Sequence, residues 1–81
     1  MAFYKNLTQA QVIERLTAQD VRTVMLAAEE GDYEFIASII QGDGFTQYNH
    51  MKPGDLIAEY GEREDRIIEL IEDGLMPYEV E

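Results

Sequence analysis

Eighty-one residues are one domain's worth of chain, and a chain this short buries only roughly 60% of its unfolded surface, which leaves room for one core and one binding surface. Hydrophobic residues at 46% and charged residues at 28% make a globular rather than a disordered composition, and the lack of cysteine excludes disulfides, thiolate metal ligands and thiol nucleophiles together. Seventeen acids against six lysines and arginines leave a net charge of −11, which argues against direct contact with nucleic acid or an anionic membrane and for a partner protein with a basic surface.

Met1 to Asn6 carries no basic segment followed by an apolar one, and the densest apolar run is only Val24 to Ala28. Neither export nor membrane insertion is therefore expected, and with no cysteine the cytoplasm is the simpler compartment. The first helix start lies in Leu7-Thr8-Gln9-Ala10-Gln11-Val12. There the Thr8 hydroxyl can accept from the Gln11 N–H, Gln11 can reach back, and Leu7 can staple onto Val12. Leu16-Thr17-Ala18-Gln19-Asp20-Val21 repeats that layout nine residues later, so a helix over 9–16 and a second over 18–30 are predicted. Val21, Val24, Met25 and Ala28 recur at helical spacing and define its buried face, and Gly31 ends it. Asp32 caps a third helix over 33–41, which buries Ile36, Ile39 and Ile40 and stops at Gly42-Asp43-Gly44.

Gly44 to Met51 has neither a helical nor a strand period but holds Phe45, Tyr48, His50 and Met51 in eight residues, and it reads as an ordered loop. Phe45 and Met51 are expected to pin it to the core, while Tyr48 and His50 are expected to be exposed. Pro53 suits a first helical position and Met51 with Leu56 repeats the staple, which predicts a helix over 53–60. Gly61 weakens the helix there, so a further segment is drawn over 62–73, with Ile67, Ile68 and Ile71 inward and Gly74 as its end; one bent helix is the alternative. Residues 75–81, interrupted by Pro77, form an extended tail that packs Leu75, Met76 and Tyr78 on the bundle or stays loose. The predicted fold is all-α, a single domain over 1–81 built as a compact bundle of four to five short helices with that tail.

Chemistry-bearing residues are few. One histidine and a lone helical serine, Ser38, supply no nucleophile with its base, and no nucleophile elbow, phosphate loop or dinucleotide fingerprint is present. Asp32 and Asp43 flank glycines, yet the alternating ligands and terminal glutamate of a calcium loop are missing, so neither metal nor cofactor is expected. The acids are unevenly placed. Asp55 to Glu81 holds ten acids and two arginines, net −8, whereas residues 1–54 hold seven acids and four bases, net −3. Glu62, Asp65, Glu69, Glu72 and Asp73 fall on one side of the last predicted helix. Ion pairs from Glu59 to Arg63 and from Glu62 to Arg66 would support an ordinary solvated face. The candidate partner-binding residues are these five acids together with Phe45, Tyr48 and His50, aromatic anchors beside an anionic rim.

Gly44-Phe45-Thr46-Gln47-Tyr48-Asn49-His50-Met51-Lys52-Pro53-Gly54-Asp55-Leu56 resembles a segment of small acidic proteins of tailed bacteriophages. That pattern reads glycine, aromatic, lysine, glycine, tyrosine, two variable residues, methionine, serine or threonine, two acids, glutamate and leucine. Gly44, Phe45, Tyr48, Met51 and Leu56 match it, Asp55 replaces the glutamate, and Thr46-Gln47 and Lys52-Pro53-Gly54 depart from it. Lys52 thus stands where the pattern has a capping hydroxyl, at the positive end of the helix dipole. Size and acidity also resemble phage early proteins that disable host enzymes or defence systems, including anti-CRISPR and anti-restriction proteins. The resemblance implies a non-catalytic inhibitor or modulator of a bacterial host protein. The alternatives are a DNA mimic occupying a nucleic-acid groove and a structural homodimer burying excess apolar surface.

Overall fold

The computed structural model describes residues 2–41 and 47–80, the side chain of Ile40 excepted. Among them lie three α-helices, α1 (Gln9–Glu30), α2 (Tyr33–Gln41) and α3 (Pro53–Glu72), with a 3-10 turn at Gln47–His50 before α3. The fold is all-α; the only strand-like pairing among the described residues is the isolated bridge between Tyr4 and Leu7. No helix among them is long and apolar enough to cross a membrane.

Among the described residues three α-helices stand where four to five were expected, because neither predicted break is used. The Thr8 box forms as read, with Gln11 N donating to Thr8 Oγ1 at 3.1 Å and Thr8 N donating to Gln11 Oε1 at 2.8 Å. The second box at Thr17 does not form; α1 runs straight through it for 22 residues. No glycine or proline lies between Gln9 and Glu30, so leaving the helix at Thr17 would sacrifice ladder hydrogen bonds to gain one cap. Gly61 likewise sits inside a continuous 20-residue α3, as the single-helix alternative had it. One interior glycine costs only about 1 kcal/mol against alanine, less than the packing that the helix secures on both sides.

Both long helices close on glycine. Gly31 has φ +77° and Gly74 φ +68°, the left-handed region where a side chain is strained. At the first, Asp32 N donates to Ala27 O and Gly31 N to Ala28 O; at the second, Leu75 N donates to Leu70 O and Gly74 N to Ile71 O. These are the paired bonds of a Schellman ending, and they satisfy carbonyls that the helix itself cannot. Asp32 then caps α2, accepting from Phe35 N at 3.2 Å. Lys52 makes no side-chain cap, and Pro53 alone starts α3.

The core is built from Val12, Leu16, Tyr48, Leu56, Tyr60 and Ile67, all essentially inaccessible, with Phe3, Tyr4, Leu7, Ile13, Met51, Ile71 and Met76 packed around them. The amino-terminal arm therefore belongs to the core. It turns at Lys5, whose φ is +49°, and lays Tyr4 edge-on against Tyr60 with ring centroids 5.1 Å apart. Lys5 Nζ also reaches Glu64 at 3.0 Å. Each fully buried aliphatic side chain in such a cluster contributes about 1.5–3 kcal/mol of transfer free energy.

The apolar face expected at Val21, Val24, Met25 and Ala28 is not the buried one. Val21 and Val24 are half-buried, Met25 is 51% exposed and Ala28 is exposed, while Ala18 and Ala27 are buried. The second half of α1 meets the short α2 and, through Asp20 and Arg22, the 3-10 turn, α3 and the tail. No described side chain of α2 is fully buried; Ile36 and Ile39 are half-buried, and Ile40 lies outside the described side chains. Of the three isoleucines read as inward on α3, Ile67 is buried and Ile71 half-buried, but Ile68, about 100° round the helix from Ile67, is 38% exposed. The molecule measures 41 × 29 × 19 Å with a radius of gyration of 13.1 Å. A compact chain of this length would have about 12 Å, so the arrangement is elongated.

Candidate partner-binding surface

Packing decides which face of α3 meets solvent. Leu56, Tyr60, Ile67 and Leu70 point inward, and at roughly 100° per residue the direction opposite to them is occupied by Glu62, Asp65, Glu69, Glu72 and Asp73. All five carboxylates are exposed. They span about 16 Å along the axis, at 1.5 Å per residue. Of the other acids of the helix, Glu59 pairs with Arg63, Glu64 pairs with Lys5, and Asp55 lies exposed in the first turn. The expected pair from Glu62 to Arg66 is replaced by Arg66 with Glu69 at 2.9 Å, between side chains that are both more than half exposed. A pair so placed contributes little, and it leaves the stripe strongly negative.

Tyr48 lies elsewhere. It was expected to be exposed, but it is 1% accessible and forms the hub of an internal polar cluster. Its hydroxyl donates to Asp20 Oδ2, and Arg63 Nη1 donates to Asp20 Oδ1 at 3.1 Å and to the Tyr48 oxygen at 3.2 Å. Asp20 comes from α1, Tyr48 from the 3-10 turn and Arg63 from α3, so one network ties three segments together. Burial, reinforced by the neighbouring Asp20 carboxylate, pushes the Tyr48 phenol above its ordinary range against the opposing pull of Arg63. An aromatic ring in a loop with no period can face either way, and here a charged pair on two helices offers its hydroxyl a partner. Tyr48 therefore fixes the turn and is removed from the candidate surface. His50 is exposed at the end of the turn, and Phe45 lies outside the described residues.

His50 and the acidic stripe are not brought together. The residue precedes the start of α3, whereas the stripe begins nine residues into that helix, roughly 14 Å along its axis. Ser38 donates to Phe35 O within its own helix at 2.7 Å. Among the described residues no group of three or more histidines or acids is placed to hold a metal ion.

No family model, curated protein or solved structure matches this chain.

The surface extends past where the sequence reading stopped. Beyond Asp73 the chain turns at Gly74 and folds back, and Arg22 of α1 holds it by donating to Leu75 O at 2.6 Å. Met76 packs on the core, while Leu75 and Tyr78 are about two-fifths exposed. Burial and the nearby Glu14 carboxylate raise the Tyr78 phenol above its ordinary range. Between this tail and the end of α3 lies a cavity of about 310 Å³. The apolar residues Leu75, Met76 and Tyr78 of the tail were its only trace in the sequence.

Proposed function

We propose that the chain is a non-catalytic, stoichiometric binder of a protein with a basic surface, drawn to it by the carboxylates of α3. The observation that carries this reading is the exposure of Glu62, Asp65, Glu69, Glu72 and Asp73 on the face turned away from the core. Packing does not need these acids there, and their mutual repulsion works against the folded chain. A field of this kind raises association rates with a cationic surface by roughly tenfold to a thousandfold. The likeness of Gly44–Leu56 to tailed-phage proteins supplies the setting, a phage-encoded modulator of a bacterial defence or nucleic-acid-handling protein.

Self-association is less favoured. Met25, Leu26 and Tyr33 are exposed on the α1–α2 hairpin, but Glu29, Glu30, Asp32 and Glu34 surround them with no compensating base between Thr23 and Gln41. Two copies meeting there would oppose like charges. Polyanion mimicry has a specific point in its favour: five charges over about 16 Å give an axial spacing of roughly 4 Å, close to the roughly 3.4 Å per phosphate along one DNA strand.

The test is affinity capture from a bacterial lysate at low and high salt, with the chain and with a variant in which Glu62→Gln, Asp65→Asn, Glu69→Gln and Glu72→Gln are combined. The expected result is a salt-sensitive partner that the variant captures more slowly and with weaker salt dependence. Retention of the same partner at the same rate by the variant refutes electrostatic recruitment. Competition between DNA and this chain for that partner supports mimicry, and simultaneous binding of both excludes it.

A further inference from the structure

We infer that the cavity between the end of α3 and the tail is an anchor pocket for one apolar side chain that a partner carries beside lysine or arginine residues. The inference rests on the protein-binding reading and says where the close contact is made.

The cavity is lined by Ile71, Gly74, Met76, Tyr78, Glu79 and Val80. Its volume of about 310 Å³, at the bottom of the range of roughly 300–1,000 Å³ typical of ligand sites, is ample for a single side chain. Four of those six residues offer apolar or aromatic surface. Tyr78 and Glu79 are the lining residues whose side chains carry polar groups able to orient an occupant. The backbone on one side is fixed, because the turn at Gly74 is closed by hydrogen bonds to Ile71 O and Leu70 O and the following residue is tethered by Arg22. A pocket with a rigid wall loses little entropy when it is filled.

Charge selects the occupant's neighbours. The last turn of α3 contains no basic residue, so the negative end of its dipole meets Glu72 and Asp73, while Glu69 is answered only by the exposed Arg66. A lysine or arginine from outside would relieve all of these at once. The acidic stripe runs along α3 and ends at this spot, so steering and anchoring are continuous: a basic segment drawn to the carboxylates is delivered to the mouth of an apolar pocket. An apolar anchor surrounded by polar rim contacts is the usual energetic anatomy of an interface.

A pair of labelled probe peptides tests this, both short and lysine-rich, one with a central phenylalanine and the other with alanine in its place. Binding to the full chain is followed by anisotropy at low salt and by amide chemical-shift mapping. The phenylalanine peptide is expected to bind about tenfold more tightly and to shift Ile71, Gly74, Met76 and Val80, a preference that Val80→Asp removes without altering the melting temperature. The combined Gln/Asn variant of the α3 stripe weakens both peptides and preserves their ratio. Equal affinity of the two peptides, or shifts that avoid the tail, overturns the anchor pocket and leaves the basic-partner reading standing. Failure of both peptides to bind the chain at low salt overturns the basic-partner reading, and the pocket with it.

Discussion

Replacing Gly61 by alanine separates a continuous α3 from two helices broken at that glycine, because the two arrangements give effects of opposite sign. In the structure Gly61 lies mid-helix with no positive φ, and a Cβ built on it meets only the Tyr4 hydroxyl, 3.9 Å away, an ordinary contact. Alanine then gains the helix propensity that glycine lacks, about 0.5–1 kcal/mol, chiefly by restricting the unfolded chain. For a domain of 60–100 residues each kcal/mol moves the midpoint by about 4–8 °C, so a rise of about 2–8 °C is expected in a thermal melt followed by circular dichroism. Urea unfolding should show a higher midpoint at unchanged slope, since the surface exposed on unfolding is the same. If Gly61 instead ended one helix in the left-handed region, alanine would cost about 1–2 kcal/mol and the midpoint would fall. A fall, or a changed slope, refutes the continuous helix.

Gly74→Ala is the mirror experiment: at φ +68° the methyl group has open space around it but a strained backbone, so a loss of about 1–2 kcal/mol is expected in the same melts. A neutral or stabilising outcome would show that the Schellman ending is not held. The Tyr48 phenol, raised by burial and by Asp20, binds its proton more tightly in the folded chain than in the unfolded one. Its contribution is therefore complete below pH 10.0, the unperturbed value, and is lost as pH climbs through the raised folded value. Urea titrations from neutral pH upward should show that decline, and Tyr48→Phe should flatten it, though not abolish it, because Tyr78 is raised as well. At neutral pH the same substitution is expected to cost about 1 kcal/mol through the lost hydroxyl bonds. An unchanged alkaline limb would show that the phenol is not buried in solution.

The sequence was most readable where one residue acts on its immediate neighbours. The Thr8 box, the glycine endings at Gly31 and Gly74, the Asp32 cap and the bounds of α2 all follow from short-range hydrogen bonding, and all are present. The Thr17 box obeys the same local rule and does not form, because a cap competes with the ladder and loses where no residue forbids helix on its N-terminal side. Periodicity marked an apolar face on the second half of α1, but which face is covered depends on where α2 and the tail lie, and those contacts cross long stretches of sequence. The exposed acids of α3 were legible because they oppose the isoleucine and leucine rows on one cylinder. Tyr48 was not, since its partners Asp20 and Arg63 stand 28 and 15 residues away, and nothing in the order of residues brings them together.

The packing of the amino-terminal arm on α3 has a consequence for the order of events during synthesis. Lys5 and Glu64 are 59 residues apart, and Tyr4 waits for Tyr60. When α1 and α2 leave the ribosome, the surface formed by Val12 and Leu16 has only the short α2 and the 3-10 turn within reach, and Leu56, Tyr60 and Ile67 have yet to arrive. The chain therefore cannot close its core segment by segment; it closes late, in one step, once the middle of α3 has emerged.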